Sequence, residues 1–115
     1  MFSDYKEKPI YIKTKELYKL CIQATKKHKM PYSLKDQFER SCLSILLNFV
    51  EGYGRFHKKD KKQFYLISRG SLNEVIACFD LIRFHGDLSE EESSRFNCLT
   101  DQIAKMLSGL INSQK

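Results

Sequence analysis

Four stretches of this chain repeat apolar residues at intervals of three and four, with turn-forming residues between them, and strand-like alternation is nearly absent. Such spacing returns side chains to one face of a helix, whereas one face of a strand needs every second residue. The chain is therefore expected to be all-α. Pro9 suits the first turn of helix 1, where its missing N–H would have no intrahelical partner, and Ile10, Leu17, Cys21 and Ala24 give an inner face running to Lys27. A Met30-Pro31-Tyr32 break follows. Helix 2 is expected over 34–55, opened by Ser33 with Asp36 in a capping-box-like pair, and carrying Leu34, Phe38, Cys42, Ile45 and Phe49 inward.

Helix 3 is expected over 61–85, with Phe64, Ile67, Leu72, Val75, Phe79 and Ile82 apolar and Gly86 as a left-handed C-terminal cap. Helix 4, over 90–112, starts at the capping box Ser89-Glu90-Glu91-Glu92 and repeats Phe96, Leu99, Ile103, Met106 and Leu110 at 3-4-3-4, the spacing of a bundle seam. Short connections make sequential helices antiparallel neighbours. The predicted fold is an up-down-up-down antiparallel four-helix bundle, one domain spanning residues 1–115. Helix 2 also carries Leu43, Leu46, Leu47 and Val50 on a second face. A helix apolar nearly all round is buried from two sides, so another copy of the chain is expected there.

The net charge of +6 is unevenly placed: residues 1–30 carry eight Lys against Asp4, Glu7 and Glu16, while residues 87–115 carry Arg95, Lys105 and Lys115 against five acids. This asymmetry favours a polyanionic partner at one end or side. No apolar run approaches the roughly 20 residues that span a bilayer, and the first eight residues lack the apolar core of a signal peptide. A cytoplasmic protein with no membrane partner is expected. Cys21, Cys42, Cys78 and Cys98 are far apart with no C-x-x-C pair, so they are expected to be reduced core thiols rather than metal ligands.

Two short stretches stand out, Asn48-Phe49-Val50-Glu51-Gly52-Tyr53-Gly54-Arg55 and Arg69-Gly70-Ser71-Leu72-Asn73-Glu74. Each helical glycine costs about 1 kcal/mol relative to Ala. Gly52 and Gly54 together therefore imply a helix end or the close approach of a neighbour, and Gly70 implies another helix packed closely on it. A phosphate-binding loop would need a preceding strand and a longer glycine pattern, both absent here. Asn48, Glu51, Arg69 and Glu74 are expected to form a structural ion-pair network between helices 2 and 3, because a buried Arg requires its planar fork to be hydrogen-bonded. Paired-carboxylate acid–base chemistry is the sharper alternative, but no His or metal partner is in register. A di-iron bundle needs Glu-x-x-His on two helices; no Glu here has a His three residues later, and neither H-E-x-x-H nor G-x-S-x-G occurs. No catalytic residue, metal or cofactor is assigned.

The remaining candidate feature is basic. Lys15, Lys19 and Lys26 fall within about 40° of one another at 3.6 residues per turn, opposite Leu17 and Ala24. Arg55, Lys58, Lys59, Lys61 and Lys62 form a second cluster at the turn between helices 2 and 3, with Phe56 inside it and Phe64 and Tyr65 just beyond. Cations neutralise phosphates and aromatics stack on unpaired bases, so both clusters are candidate nucleic-acid-binding residues. Solvated lysine faces that only keep the protein soluble, or an acidic protein partner, are the competing readings.

The two stretches, in this order, resemble the paired signature of the bacterial 23S rRNA intervening-sequence protein family. The first matches an Asn-x-x-Glu-Gly-aromatic-Gly-Arg run through Asn48, Glu51, Gly52, Tyr53, Gly54 and Arg55. The second matches an aromatic pair followed by Arg-Gly-Ser-Leu-x-Glu through Phe64, Tyr65, Arg69, Gly70, Ser71, Leu72 and Glu74. The similarity covers roughly residues 10–112. The chain departs from it in having Leu46 for a common proline, Glu39-Arg40 for a basic pair, and Ile10-Tyr11-Ile12 in place of a tryptophan-containing opening. The resemblance implies a four-helix bundle assembled into a homo-oligomeric ring, commonly a pentamer, with no established catalytic residues. It also implies kinship with a small basic bundle that assists the reverse transcriptase of diversity-generating retroelements by binding enzyme and nucleic acid. The expected role is thus a non-enzymatic, ring-forming bundle that binds RNA or DNA within a nucleoprotein complex; the alternative is a structural or protein-interaction oligomer with no nucleic-acid role.

Overall fold

A computed structural model describes residues 2–86 and 88–114 of the chain. These form a 3-10 segment, Phe2–Glu7, and four α-helices, α1 (Pro9–Lys27), α2 (Tyr32–Tyr53), α3 (Lys58–Phe84) and α4 (Glu90–Asn112), with no strand among the described residues. Each α-helix packs on the next and α4 closes onto α1, leaving α1 and α3 diagonally opposed in an up-down-up-down bundle. The result is a rod of 44 × 24 × 23 Å. One pole carries the start of α1, the α2–α3 turn and the end of α4.

Local chemistry sets most helix ends. Pro9 occupies the first turn of α1. Ser89 Oγ accepts the Glu92 N–H and the Glu92 carboxylate accepts the Ser89 N–H, both at 3.0 Å, completing the capping box of α4. Gly86 follows α3 with φ 101°, the left-handed conformation that glycine adopts without a Cβ penalty. Helix 2 differs from expectation: it starts at Tyr32, and the Ser33–Asp36 box does not form. Pro31 takes the position before the helix, its carbonyl accepting the Leu34 and Lys35 N–H groups, and Asp36 pairs with Arg40 at 3.0 Å. Helix α3 begins three residues earlier than expected because the extended His57 offers its carbonyl to the Lys61 N–H.

Leu17, Phe38, Ile45, Phe49, Val75 and Ile103 lie at the centre of one continuous apolar core. Phe79 and Phe96 stack at 3.6 Å between ring centroids, with Phe38 tilted against both at 6.3 Å. Along α4 the buried positions become Leu107 and Ile111, with Met106 and Leu110 only partly buried. A straight helix turns once per 3.6 residues and drifts off a strict 3-4 repeat. Cys21, Cys42 and Cys78 are buried free thiols, and burial pushes the thiols of Cys21 and Cys78 up, which keeps them protonated and unreactive. Cys98 is the exception: it is exposed, one position off the buried Leu99.

Candidate nucleic-acid interface

Helix α2 reaches its end through Gly52, whose bare Cα lets α3 approach. A Cβ there would fall 2.9 Å from both Phe64 Cβ and Tyr65 Cε1. Lys61, one turn into α3, reaches back and donates to the carbonyls of Tyr53 at 2.7 Å and Gly52 at 3.4 Å. A cation at that point satisfies the last carbonyls of α2 and complements its dipole. Arg55 pairs with Glu51 at 2.6 Å and lies over the Phe64 ring at 4.7 Å. Lys58, Lys59 and Lys62 have no acidic partner among the described residues. Phe56 is 90% exposed, and its ring meets that of His57 edge-on at 5.1 Å between centroids. Of the aromatics that follow, Tyr65 is buried and Phe64 half-buried.

The up-down topology adds a cation that the lysine clusters of the sequence do not include. Lys8 Nζ sits 5.7 Å from the centre of the Tyr53 ring and Lys61 Nζ 5.4 Å from it, which joins the start of α1 to the α2–α3 turn. Short antiparallel connections already imply that the start of helix 1 lies beside the helix 2–3 turn, and that is the signal by which Lys8 could be found. The stripe on α1 does not gather in the same way. Lys15 lies over the Tyr11 ring at 5.4 Å. Lys19 lines a groove of ≈ 760 Å3 between α1 and α4, facing Glu91 and Glu92 as well as Lys27 and Arg95. Lys26, about 16 Å further along α1 than Lys15, is at the opposite pole from the turn.

The expected ion-pair network between α2 and α3 is absent among the described residues. Glu51 binds Arg55 in the turn just past the end of its own helix, Glu74 accepts a hydrogen bond from Gln37, Asn48 donates to Ser44, and Arg69 is exposed. The side-chain links between the two helices are hydrogen bonds rather than ion pairs: besides Gln37 on Glu74 and Lys61 on the end of α2, Ser68 Oγ donates to the Ile45 carbonyl at 2.8 Å, and Ser44 and Ser71 hydroxyls meet at 2.7 Å. Gly70 is exposed, and a Cβ placed on it would meet nothing within 4 Å, so no helix of the same chain packs on it.

Gly70 belongs instead to a second, outward seam. On α3, Tyr65, Ser68, Leu72, Val75, Phe79 and Ile82 are buried at spacings 3-4-3-4-3. Ile67, Gly70, Glu74, Ala77, Leu81 and Phe84 repeat the same spacing on the exposed side. Leu43 and Leu47 of α2 are also exposed, at 38% and 54%. This outer repeat is legible in the sequence as a 3-4 pattern offset by two residues from the inner one.

The sequence profile described as 23S rRNA-intervening sequence protein matches residues 6–109, a span that takes in Lys8, the α2–α3 turn and both seams. The chain belongs to this family. Its fold is similar to that in the 1.70 Å crystal structure of a protein of unknown function from the S23 ribosomal protein family of Bacteroides thetaiotaomicron. The two chains are 22% identical, the alignment covers 89% of this one and 91% of the other, and the TM-score is 0.68. That likeness bears on the fold. No curated protein matches. In this family member no group of three or more His, Cys, Asp and Glu side chains among the described residues is placed to hold a metal ion. No described helix is long and apolar enough to cross a membrane.

Proposed function

We propose that this intervening-sequence family member is a non-enzymatic, self-associating bundle that binds RNA or DNA through the pole carrying the α2–α3 turn. The observation that carries the nucleic-acid reading is the 90% exposure of Phe56 in a turn that also presents Lys58 and Lys59 to solvent. A lone exposed apolar side chain is ordinary. An exposed ring bracketed by cations is what a platform for stacked bases and their phosphates requires.

Self-association is supported by the outer seam of α3 beside Leu43 and Leu47. With Ile67, Ala77, Leu81 and Phe84 exposed opposite its buried side, α3 has a second, largely apolar surface to bury, and the interior of this subunit uses only one. The ring of five subunits and an accessory role beside a reverse transcriptase or another protein come from the family resemblance alone. The rival reading, an interaction scaffold without nucleic acid, draws on the same seam.

Fluorescence anisotropy of labelled single-stranded RNA and DNA separates the two. The wild-type protein should bind at about 50 mM salt, where contacts to phosphate are strong, and Lys58→Glu/Lys59→Glu should not. Absence of wild-type binding would leave the scaffold reading in its place.

A further inference from the structure

The basic pole holds more than the turn. Between the start of α1 and the last turns of α2 and α4 lies a cavity of ≈ 370 Å3, within the about 300–1,000 Å3 of small-molecule sites. Ile10, Phe49, Tyr53, Met106 and Leu110 make its walls apolar, and Lys8 is its charged lining residue. The Phe49 and Tyr53 rings stand 5.8 Å apart, tilted by 40°. Gly109 also lines the cavity, and a Cβ at that position would meet nothing within 4 Å. A glycine inside a helix costs about 1 kcal/mol, and no packing among the described residues requires this one. Its effect is to leave one side of the cavity open.

We infer that this cavity receives one unpaired base of a bound single strand, with the strand's phosphates against the lysines of the same pole. The inference rests on the nucleic-acid reading above and narrows its substrate to single strands. Charge complementarity selects the occupant. Tyr53 is at once a wall of the cavity and the ring on which the ammoniums of Lys8 and Lys61 lie, at 5.7 and 5.4 Å. A purely apolar ligand would need the walls and make nothing of these charges. A single strand alternates flat, stackable rings with anions at a short repeat, matching an aromatic-walled cavity with cations on one wall and more at the neighbouring turn. In a duplex every base is already stacked and paired, and one could enter only at the cost of a few kcal/mol for flipping it out.

The test uses Gly109→Leu. Open space at the Cβ position and the gain in helix propensity both favour folding, so the variant should melt at or above the wild-type temperature while its side chain narrows the cavity. The probes are a single-stranded oligonucleotide carrying 2-aminopurine and the duplex of the same strand. Gly109→Leu should weaken single-strand binding about tenfold, in the range of one lost base stack, abolish the 2-aminopurine fluorescence change, and leave duplex affinity unaltered. Equal single-strand affinity in Gly109→Leu and wild type, with Phe56→Ala still weakened, overturns the cavity assignment and spares the nucleic-acid reading. Failure of the wild type to bind any strand overturns both. Binding of an acidic, leucine-containing peptide that Gly109→Leu blocks, with strand affinity unchanged, overturns the inference by giving the cavity to a protein partner.

Discussion

The ring of Tyr65 lies where a side chain at Gly52 would begin: a Cβ on Gly52 would sit 2.9 Å from Tyr65 Cε1, and as close to Phe64 Cβ. Phe64 Cβ is fixed to the α3 backbone and cannot step aside. In an open helix Gly→Ala stabilises by about 1 kcal/mol, but overpacking typically costs about 1–3 kcal/mol. Gly52→Ala should therefore destabilise, by about 1 kcal/mol, in urea melts. A variant more stable than wild type would show that α2 and α3 are not held this close.

The outer seam of α3 is the surface proposed for self-association. Light scattering at micromolar concentration should find a homo-oligomer, and Leu47→Glu combined with Leu81→Glu should yield a monomer with unchanged helical circular dichroism, since both residues are about half exposed in the subunit. A wild-type monomer would remove the claim.

Glu51, Arg69 and Glu74 are exposed, and substitution away from buried features shifts stability by no more than about 0.5 kcal/mol. Glu51→Ala and Arg69→Met should each stay within that limit in denaturant melts. A loss of about 3–5 kcal/mol on Glu51→Ala, the mark of a stranded buried charge, would reinstate the ion-pair network.

Glu92 ties the far pole together. Burial works against its charge, but the Ser89 backbone N–H and the His28 ring, at 2.8 Å, outweigh it and hold the carboxyl below the usual range. A carboxyl depressed in the folded state adds stability above its unfolded pKa of about 4.3, and that stability is lost as pH falls through the folded-state value. The difference in melting temperature between wild type and Glu92→Gln should be largest near neutrality and shrink below about pH 4. A difference that grows with acid would contradict the assignment.

What sequence neighbours decide among themselves is legible in the sequence. The Ser89–Glu92 box and the Gly86 cap depend on a few adjacent residues, and both form. The apolar repeats specify four helices because each repeat needs only one face to be covered. The differences between expectation and structure are of another kind. Arg69 and Cys98 each stand one position, about 100° of helix, from a buried residue, Ser68 and Leu99, and sequence spacing does not fix rotation that closely. Glu51 finds Arg55 four residues on, just past the end of its own helix, rather than a partner on α3. Ser33 yields the capping position to Pro31, whose backbone is already extended. At the basic pole the lysines of the turn are legible, but the orientation of Phe56 is not: an aromatic inside a charged run can turn either way. Lys8 and the cavity beside Tyr53 depend on three helices meeting, which no local pattern states.

The most direct measurement is a salt titration of single-stranded RNA affinity. With Lys61 bound to backbone carbonyls and Arg55 to Glu51, Lys58, Lys59 and Lys62 remain as the cluster's uncommitted cations. Three neutralised phosphates give a log–log slope of about −2 per subunit on single strands. Reversing the exposed Lys58 and Lys59 should abolish binding while leaving the melt nearly unchanged, because exposed charges contribute little to stability. Binding that ignores salt, or no binding by the wild type at about 50 mM, would contradict the account.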